Sequence, residues 1–103
     1  MHDPDAPVEG GFYHWLVWNI DPRTTLIKDE SVPPGSVEGK NDGGTIGYMG
    51  PCPPAGKAHR YEFRLYALDG ALDLEEGSTA KELLARIGRR VLDEAVLIGL
   101  YVI

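Results

Sequence analysis

The sequence predicts a mainly β fold with one main helix near the C-terminus. Two stretches, residues 13–20 and 59–68, are rich in the aromatic and β-branched residues that suit a pleated surface. A single stretch, beginning at Thr79, has both the apolar spacing and the start signal of a helix. Between the two strand patterns, residues 28–58 hold five of the eight prolines and more than half of the thirteen glycines, the composition of turns and ordered loop.

The chain opens on an acidic turn stiffened by proline, Asp3-Pro4-Asp5-Ala6-Pro7. Aspartates in such turns accept backbone amides, the plain structural role for Asp3 and Asp5. The prolines also allow a cis peptide, as tight turns sometimes use. His2 reads as disordered or solvated. In residues 13–20, His14, Leu16, Trp18 and Ile20 point one way and Tyr13, Trp15, Val17 and Asn19 the other. Both faces are largely apolar, so this strand is expected to be central and covered on both sides. The loop over 28–58 is long for a compact domain and is expected to be functional or to hide short strands, Thr45–Met49 among them.

In residues 59–68, His59, Tyr61, Phe63, Leu65 and Ala67 share one face, and Arg60, Glu62, Arg64 and Tyr66 the other. Residues i and i+2 are only about 6–7 Å apart along a strand, so the polar tips of His59 and Tyr61 can converge. Thr79-Ala80-Lys81-Glu82 matches a capping box, after which Leu83, Leu84, Ile87 and Val91 follow helical spacing. Gly88 is expected near the helix end. Ala95–Ile103 is the longest apolar run. It is broken by Gly99, and Leu97–Tyr101 reads as a closing strand.

With 103 residues, one domain over 1–103 is expected. The composition, 43% apolar and 25% charged, fits a globular protein. The net charge of -6 disfavours nucleic acid and anionic membrane as generic partners, because both demand a basic surface. Cys52 is the only cysteine, so no intrachain disulfide forms, and a reducing cytoplasm is the expected setting. No signal-peptide pattern is present, and no apolar run approaches the roughly 20 residues of a spanning helix.

The polar residues of interest fall in three segments: Asp3 and Asp5 in the turn, His14 at one strand start, and His59 with Tyr61 at another. Gly50-Pro51-Cys52-Pro53-Pro54 lies between them as a stiff rim. In this order, Asp-Pro-Asp-Ala-Pro, His-Trp-Leu-Val-Trp-Asn, Gly-Pro-Cys-Pro-Pro and His-Arg-Tyr resemble the phosphatidylethanolamine-binding protein family, in particular its bacterial and archaeal Raf-kinase-inhibitor-like branch. Phe63-Arg64-Leu65-Tyr66-Ala67-Leu68-Asp69, Leu72-Asp73-Leu74 and Gly77-Ser78-Thr79 add to the likeness, which covers nearly the whole chain.

The resemblance implies a core of two packed antiparallel sheets. It also implies a small surface pocket for anionic or zwitterionic ligands such as phosphate, acetate or phosphorylethanolamine. Carried over by motif, Asp3, His14, His59 and Tyr61 supply polar walls, and Gly50 and Pro53 belong to the rim. Asp5, Phe12 and Cys52 stand behind them, Asp5 in a structural role. Regulation of a protein partner is a further implication of the family, with no cofactor and no metal required. Family members usually carry several strands before the Asp-Pro-Asp motif, whereas this chain opens on it, and Gly99-Leu100-Tyr101 stands where Gly-Thr-Tyr is usual. Unpaired sheet edges invite pairing, so a second copy is expected to cover the missing surface in a homo-oligomer. A start at an internal methionine of a longer gene product accounts for the same beginning.

Plainer readings stand beside these. A histidine on an apolar strand is more often a satisfied core residue than a ligand. Cys52 is most simply a small buried apolar residue, though a thiol in the rim can be reactive. Two histidines and an aspartate can form a facial metal triad, but no His-x-His or His-x-x-x-His spacing supports one. No serine sits in a Gly-x-Ser-x-Gly elbow. A metal- or His-dependent hydrolase in the same pocket is the alternative to a binding module. In an acidic chain, an anion site needs imidazolium donors, so anion affinity is expected to rise as pH falls from about 8 to about 6.

Overall fold

The structure is a computed structural model that describes residues 1–29 and 31–103. Six strands and one helix follow in the order β1 (His2–Asp3), β2 (Phe12–Tyr13), β3 (Val17–Trp18), β4 (Val37–Glu38), β5 (His59–Leu68), α1 (Ala80–Ile87) and β6 (Val91–Tyr101). They form two antiparallel sheets, one of four strands ordered β2-β1-β5-β6 and one pairing β3 with β4. The fold is mainly β with one helix, as the sequence predicts.

The single strand expected over 13–20 is divided between the two sheets. Tyr13 pairs with His2, while Val17 and Trp18 pair with Glu38 and Val37. The residues between them stay extended and fill their hydrogen bonds at both ends. The amides of His14 and Trp15 donate to the Met1 carbonyl, and the Gly39 amide donates to the Leu16 carbonyl. The predicted alternation survives this division: His14, Leu16 and Trp18 are buried, while Tyr13, Trp15 and Val17 are half-buried. Asn19 ends the run with φ of 57°. Its side chain offsets that strained backbone by accepting from the Leu72 amide at 2.7 Å and donating to the Leu72 carbonyl at 2.9 Å.

The long loop hides a short strand, but at Val37–Glu38. Thr45–Met49 supplies only an isolated bridge, Ile46 to Lys40. Gly39 follows β4 where a Cβ would come within 2.6 Å of the Ser78 carbonyl and 2.8 Å of the Trp18 ring. Only glycine permits that approach, which closes the loop onto the core.

Helix α1 begins as predicted. Thr79 caps it, accepting from the Glu82 amide at 3.3 Å, while Glu82 accepts from the Thr79 amide at 3.1 Å. It ends at Gly88 and buries Ala80, Leu83 and Ile87. With Leu16, Trp18 and Leu72 these form the core. Leu84 is exposed, and Val91 belongs to β6 rather than to the helical stripe.

Strand β6 begins at Val91, well before the expected Leu97, because β5 offers a full-length partner. The ladder runs from His59 opposite Tyr101 to Leu68 opposite Val91. The apolar face of β5 is covered only at its start. His59 and Tyr61 are each 3% exposed, whereas Leu65 is 61% exposed. Further corrections concern the opening turn and the rim. Every peptide bond among the described residues is trans. His2 is neither disordered nor solvated: it lies in β1, stacked on Tyr13 with ring centres 4.2 Å apart. Cys52 is exposed rather than buried. Among the described residues, no helix is long and apolar enough to cross a membrane.

Candidate functional site

The opening turn is fixed to the start of β5 by two aspartates with different tasks. Asp5 accepts from the Arg60 amide at 2.8 Å and takes the guanidinium through both carboxylate oxygens, at 3.0 and 2.8 Å. Those bonds to Arg60 hold the Asp5 carboxyl well below the usual carboxylate range. Asp3 lies one layer deeper, 3% exposed, and accepts from His59 Nδ1 at 2.7 Å and from the Asp5 amide at 2.8 Å. The turn therefore places a carboxylate directly behind one imidazole, and the Asp5–Arg60 clamp keeps it there.

His14 arrives from the extended segment between β2 and β3. Its Nδ1 lies 2.9 Å from the Met49 carbonyl oxygen. A carbonyl can only accept, so Nδ1 carries the proton. His59 Nδ1 faces a carboxylate and donates in the same way. Both rings thus turn Nε2 away from their supports, and neither Nε2 makes a hydrogen bond among the described residues. A neutral ring presents an acceptor there and an imidazolium a donor.

Tyr61 completes the cluster. Its ring meets His14 edge-on at 5.4 Å between centres. Its hydroxyl is buried and has no hydrogen-bond partner among the described residues. Burial pushes the phenol's pKa up, and the nearby Asp3 charge adds to the effect. Asp3 is close enough to act on the hydroxyl through its charge and, more weakly, as an acceptor, yet the two do not reach the geometry of a formed hydrogen bond. An unpaired buried hydroxyl costs free energy unless something occupies the space in front of it.

Asp3, His14, His59 and Tyr61 are thus brought together from three separate segments. Phe12 packs behind His14, with ring centres 4.7 Å apart. Asp5 acts through Arg60 and stands behind the cluster. In the rim, Pro53 is buried, while Gly50 and Cys52 are exposed. Among the described residues, no three His, Cys, Asp or Glu side chains gather as metal ligands would. Two grooves lie elsewhere. One, of about 560 Å³, is lined by Trp15, Glu38, Ile46 and Tyr48 among others; the second, of about 290 Å³, lies beside α1. Neither is lined by Asp3, His14, His59 or Tyr61.

Two supports of the site have no side-chain signature in the sequence. Met49 holds His14 through its backbone, its carbonyl accepting from the ring and its amide donating to the His14 carbonyl at 3.0 Å. Asn41, 2% exposed, holds the preceding turn through Thr45 Oγ1 at 2.8 Å and the Gly47 carbonyl at 3.0 Å. The Asn41-Asp42-Gly43-Gly44 run is a turn signal from which Asn41 could have been found.

The family model for phosphatidylethanolamine-binding proteins matches residues 1–102. The chain belongs to that family. A UPF0098 protein of Methanothermobacter thermautotrophicus is 51% identical over 96% of this chain and 68% of its own length. A UPF0098 protein of Pyrococcus horikoshii is 44% identical over 98% of this chain and 54% of its own. The chain therefore spans about two-thirds of the first relative and about half of the second. The crystal structure of E. coli YbcL, described as a member of the mammalian PEBP family, superposes with a TM-score of 0.89 at 32% identity. That match covers 99% of this chain and 68% of YbcL. Membership accounts for the order of the four motifs and for the two-sheet fold.

Proposed function

We propose that the chain is a small-ligand binding module that takes phosphate or a phosphoryl head group at the cluster of Asp3, His14, His59 and Tyr61. The observation that carries this reading is the buried Tyr61 hydroxyl, unpartnered beside two imidazoles with free Nε2 atoms. Membership of a family described as phosphatidylethanolamine-binding supports the ligand class.

The electrostatics follow from the supports. The net charge of -6 repels anions at long range. At short range the Asp3 charge is answered by the His59 ring and the Asp5 amide, so Asp3 serves as a holder of His59 rather than as a ligand group. Imidazolium Nε2–H groups and the Tyr61 hydroxyl would then donate to the anion's oxygens. A lone cysteine, which precludes an intrachain disulfide, supports a cytoplasmic setting as part of the same reading; cell fractionation would check it.

Isothermal titration with phosphorylethanolamine and with inorganic phosphate tests the site. Tyr61→Phe removes one donor to a charged group and is expected to weaken binding by about tenfold or more. His59→Ala is expected to abolish it. Sulfate does not change charge near neutrality, and it should bind more tightly at about pH 6 than at about pH 8. Equal phosphate affinities for wild type and Tyr61→Phe would reject the reading.

A further inference from the structure

We propose, on the reading of the site given above, that Asp42 is a positioning residue for the ligand. It fixes the backbone at Tyr13 and His14, so that the His14 ring keeps Nδ1 on the Met49 carbonyl and leaves Nε2 free. Asp42 takes both backbone polar groups of Tyr13. The Tyr13 amide donates to Asp42 Oδ2 at 2.8 Å, and the Asp42 amide donates to the Tyr13 carbonyl at 2.9 Å. One residue on, Met49 grips His14 through the His14 carbonyl at 3.0 Å and through the ring at 2.9 Å. The peptide joining Tyr13 to His14 is held at both ends, its carbonyl by Asp42 and its amide by the Met1 carbonyl at 2.9 Å. Rotating that peptide, and with it the ring, breaks bonds on both sides.

The two grips belong to one turn, and Asn41 sets its shape. Asn41 Oδ1 accepts from the Gly43 and Thr45 amides at 3.0 and 3.3 Å, while Nδ2 donates to Thr45 Oγ1 and the Gly47 carbonyl. The base is anchored by the Lys40 amide on the Ser78 carbonyl at 2.9 Å and the Gly47 amide on the Gly39 carbonyl at 3.1 Å. A Cβ at Gly43 would meet the Met49 sulfur at 2.4 Å, so the Met49 side chain lies against the turn beside Asp42. Asp42 and Met49 thus approach the His14 segment as parts of one braced loop.

Neither packing nor charge accounts for Asp42. Its side chain is exposed and adds nothing to the core. A further negative charge in a chain of net charge -6 works against an anion, so any help to the site comes through the bonds Asp42 makes. Those bonds act on one imidazole only. His59 is held by the buried Asp3 carboxylate at 2.7 Å and does not touch the turn. If His14 loses its hold on the Met49 carbonyl, a neutral ring is free to carry its proton on either nitrogen. In the Nε2–H form the ligand meets a donor where the held ring offers an acceptor.

Two measurements on the full chain test the proposal. Long-range proton–nitrogen NMR at about pH 8, where an ordinary histidine is neutral, reads the tautomer of each ring without ligand. Calorimetric titration with inorganic phosphate reads the site. Asp42→Ala is expected to mix the two tautomers of His14 and to leave the His59 signals in place. It is expected to weaken phosphate binding by about three- to tenfold, the worth of one hydrogen bond. Asp42 is exposed, so far-ultraviolet circular dichroism should not change. Asp42→Asn keeps an acceptor oxygen for the Tyr13 amide and is expected to restore both readouts. A wild-type His14 tautomer in Asp42→Ala would overturn the proposal. So would equal disturbance of His14 and His59, which marks general loosening, or tighter phosphate binding by both variants, which marks Asp42 as a charge alone. A wild type that binds no phosphate would reject the reading of the site, while the tautomer comparison would still decide whether Asp42 holds His14.

Discussion

Strand β5 has two halves that obey the same pattern and live in different surroundings. At His59 and Tyr61 the inward-facing side chains are buried beneath the opening turn and the His14 segment. From Phe63 to Ala67 the same face of the same strand meets water. Alternation decides which side of a sheet a residue points to; it does not decide whether anything lies on that side. The buried half is where four polar groups were gathered and one was left unpaired. The open half holds apolar surface that none of the described residues covers.

The largest expected contrast separates core from ribbon. Trp18→Ala removes a 3% exposed indole that also donates to the Leu74 carbonyl at 3.2 Å, and it should cost about 3–5 kcal/mol in chemical denaturation. Leu65→Ala, at a position 61% exposed, should stay within about 0.5 kcal/mol of wild type. A core-sized cost for Leu65→Ala would mean that the open half is covered in solution, and the comparison would fail.

A smaller effect is expected at the edge of the covered region. Asn19 binds both polar groups of Leu72 and adopts a backbone conformation that Asn tolerates better than most residues. Asn19→Ala should cost about 1–3 kcal/mol by leaving those groups unpaired. Asn19→Gly should recover the backbone part of the loss and leave the hydrogen-bonding part, which apportions the two.

These residues also show what was legible beforehand. The faces of both strand patterns, the Thr79 cap and the Gly88 end were readable because each depends on local spacing. The grouping of Asp3, His14, His59 and Tyr61 came from four motifs in order, not from spacing. The division of residues 13–20 between two sheets was not readable, since it depends on Val37 and Glu38 arriving from the loop. The exposure of Leu65 and Leu97 was hidden for the same reason, because burial is a property of what lies opposite. Met49 contributes through a carbonyl that every residue has. His2 was misread because one ring beside Tyr13 and Glu62 looks no different in sequence from a solvated one.

Within the buried half, Tyr61→Phe should move stability and binding in opposite directions. It removes the one buried side-chain hydroxyl left unpaired among the described residues, so the free protein should gain up to about 1 kcal/mol while losing anion affinity. A loss of stability comparable to a core deletion would mean that the hydroxyl is already satisfied in solution, for instance by a bound water, and would weaken its claim to be a ligand group.

The smallest effect tests what fixes the buried half in place. Asp5 bonds the backbone and side chain of Arg60, and its carboxyl is held well below the usual range. The unfolded carboxyl titrates near an ordinary value of about 3.9. The folded form therefore binds its proton less readily than the unfolded form. Its stabilising contribution is complete above about pH 5 and is lost as the pH falls through the folded value. Asp5→Asn should thus lower the melting temperature slightly at about pH 6, and the gap to wild type should close as the pH falls below about 4. The pair is exposed, so salt should shrink the same gap. A gap that persisted unchanged at low pH would show that Asp5 holds the turn through its shape and backbone contacts, with the charge on Arg60 contributing nothing to keeping Asp3 behind His59.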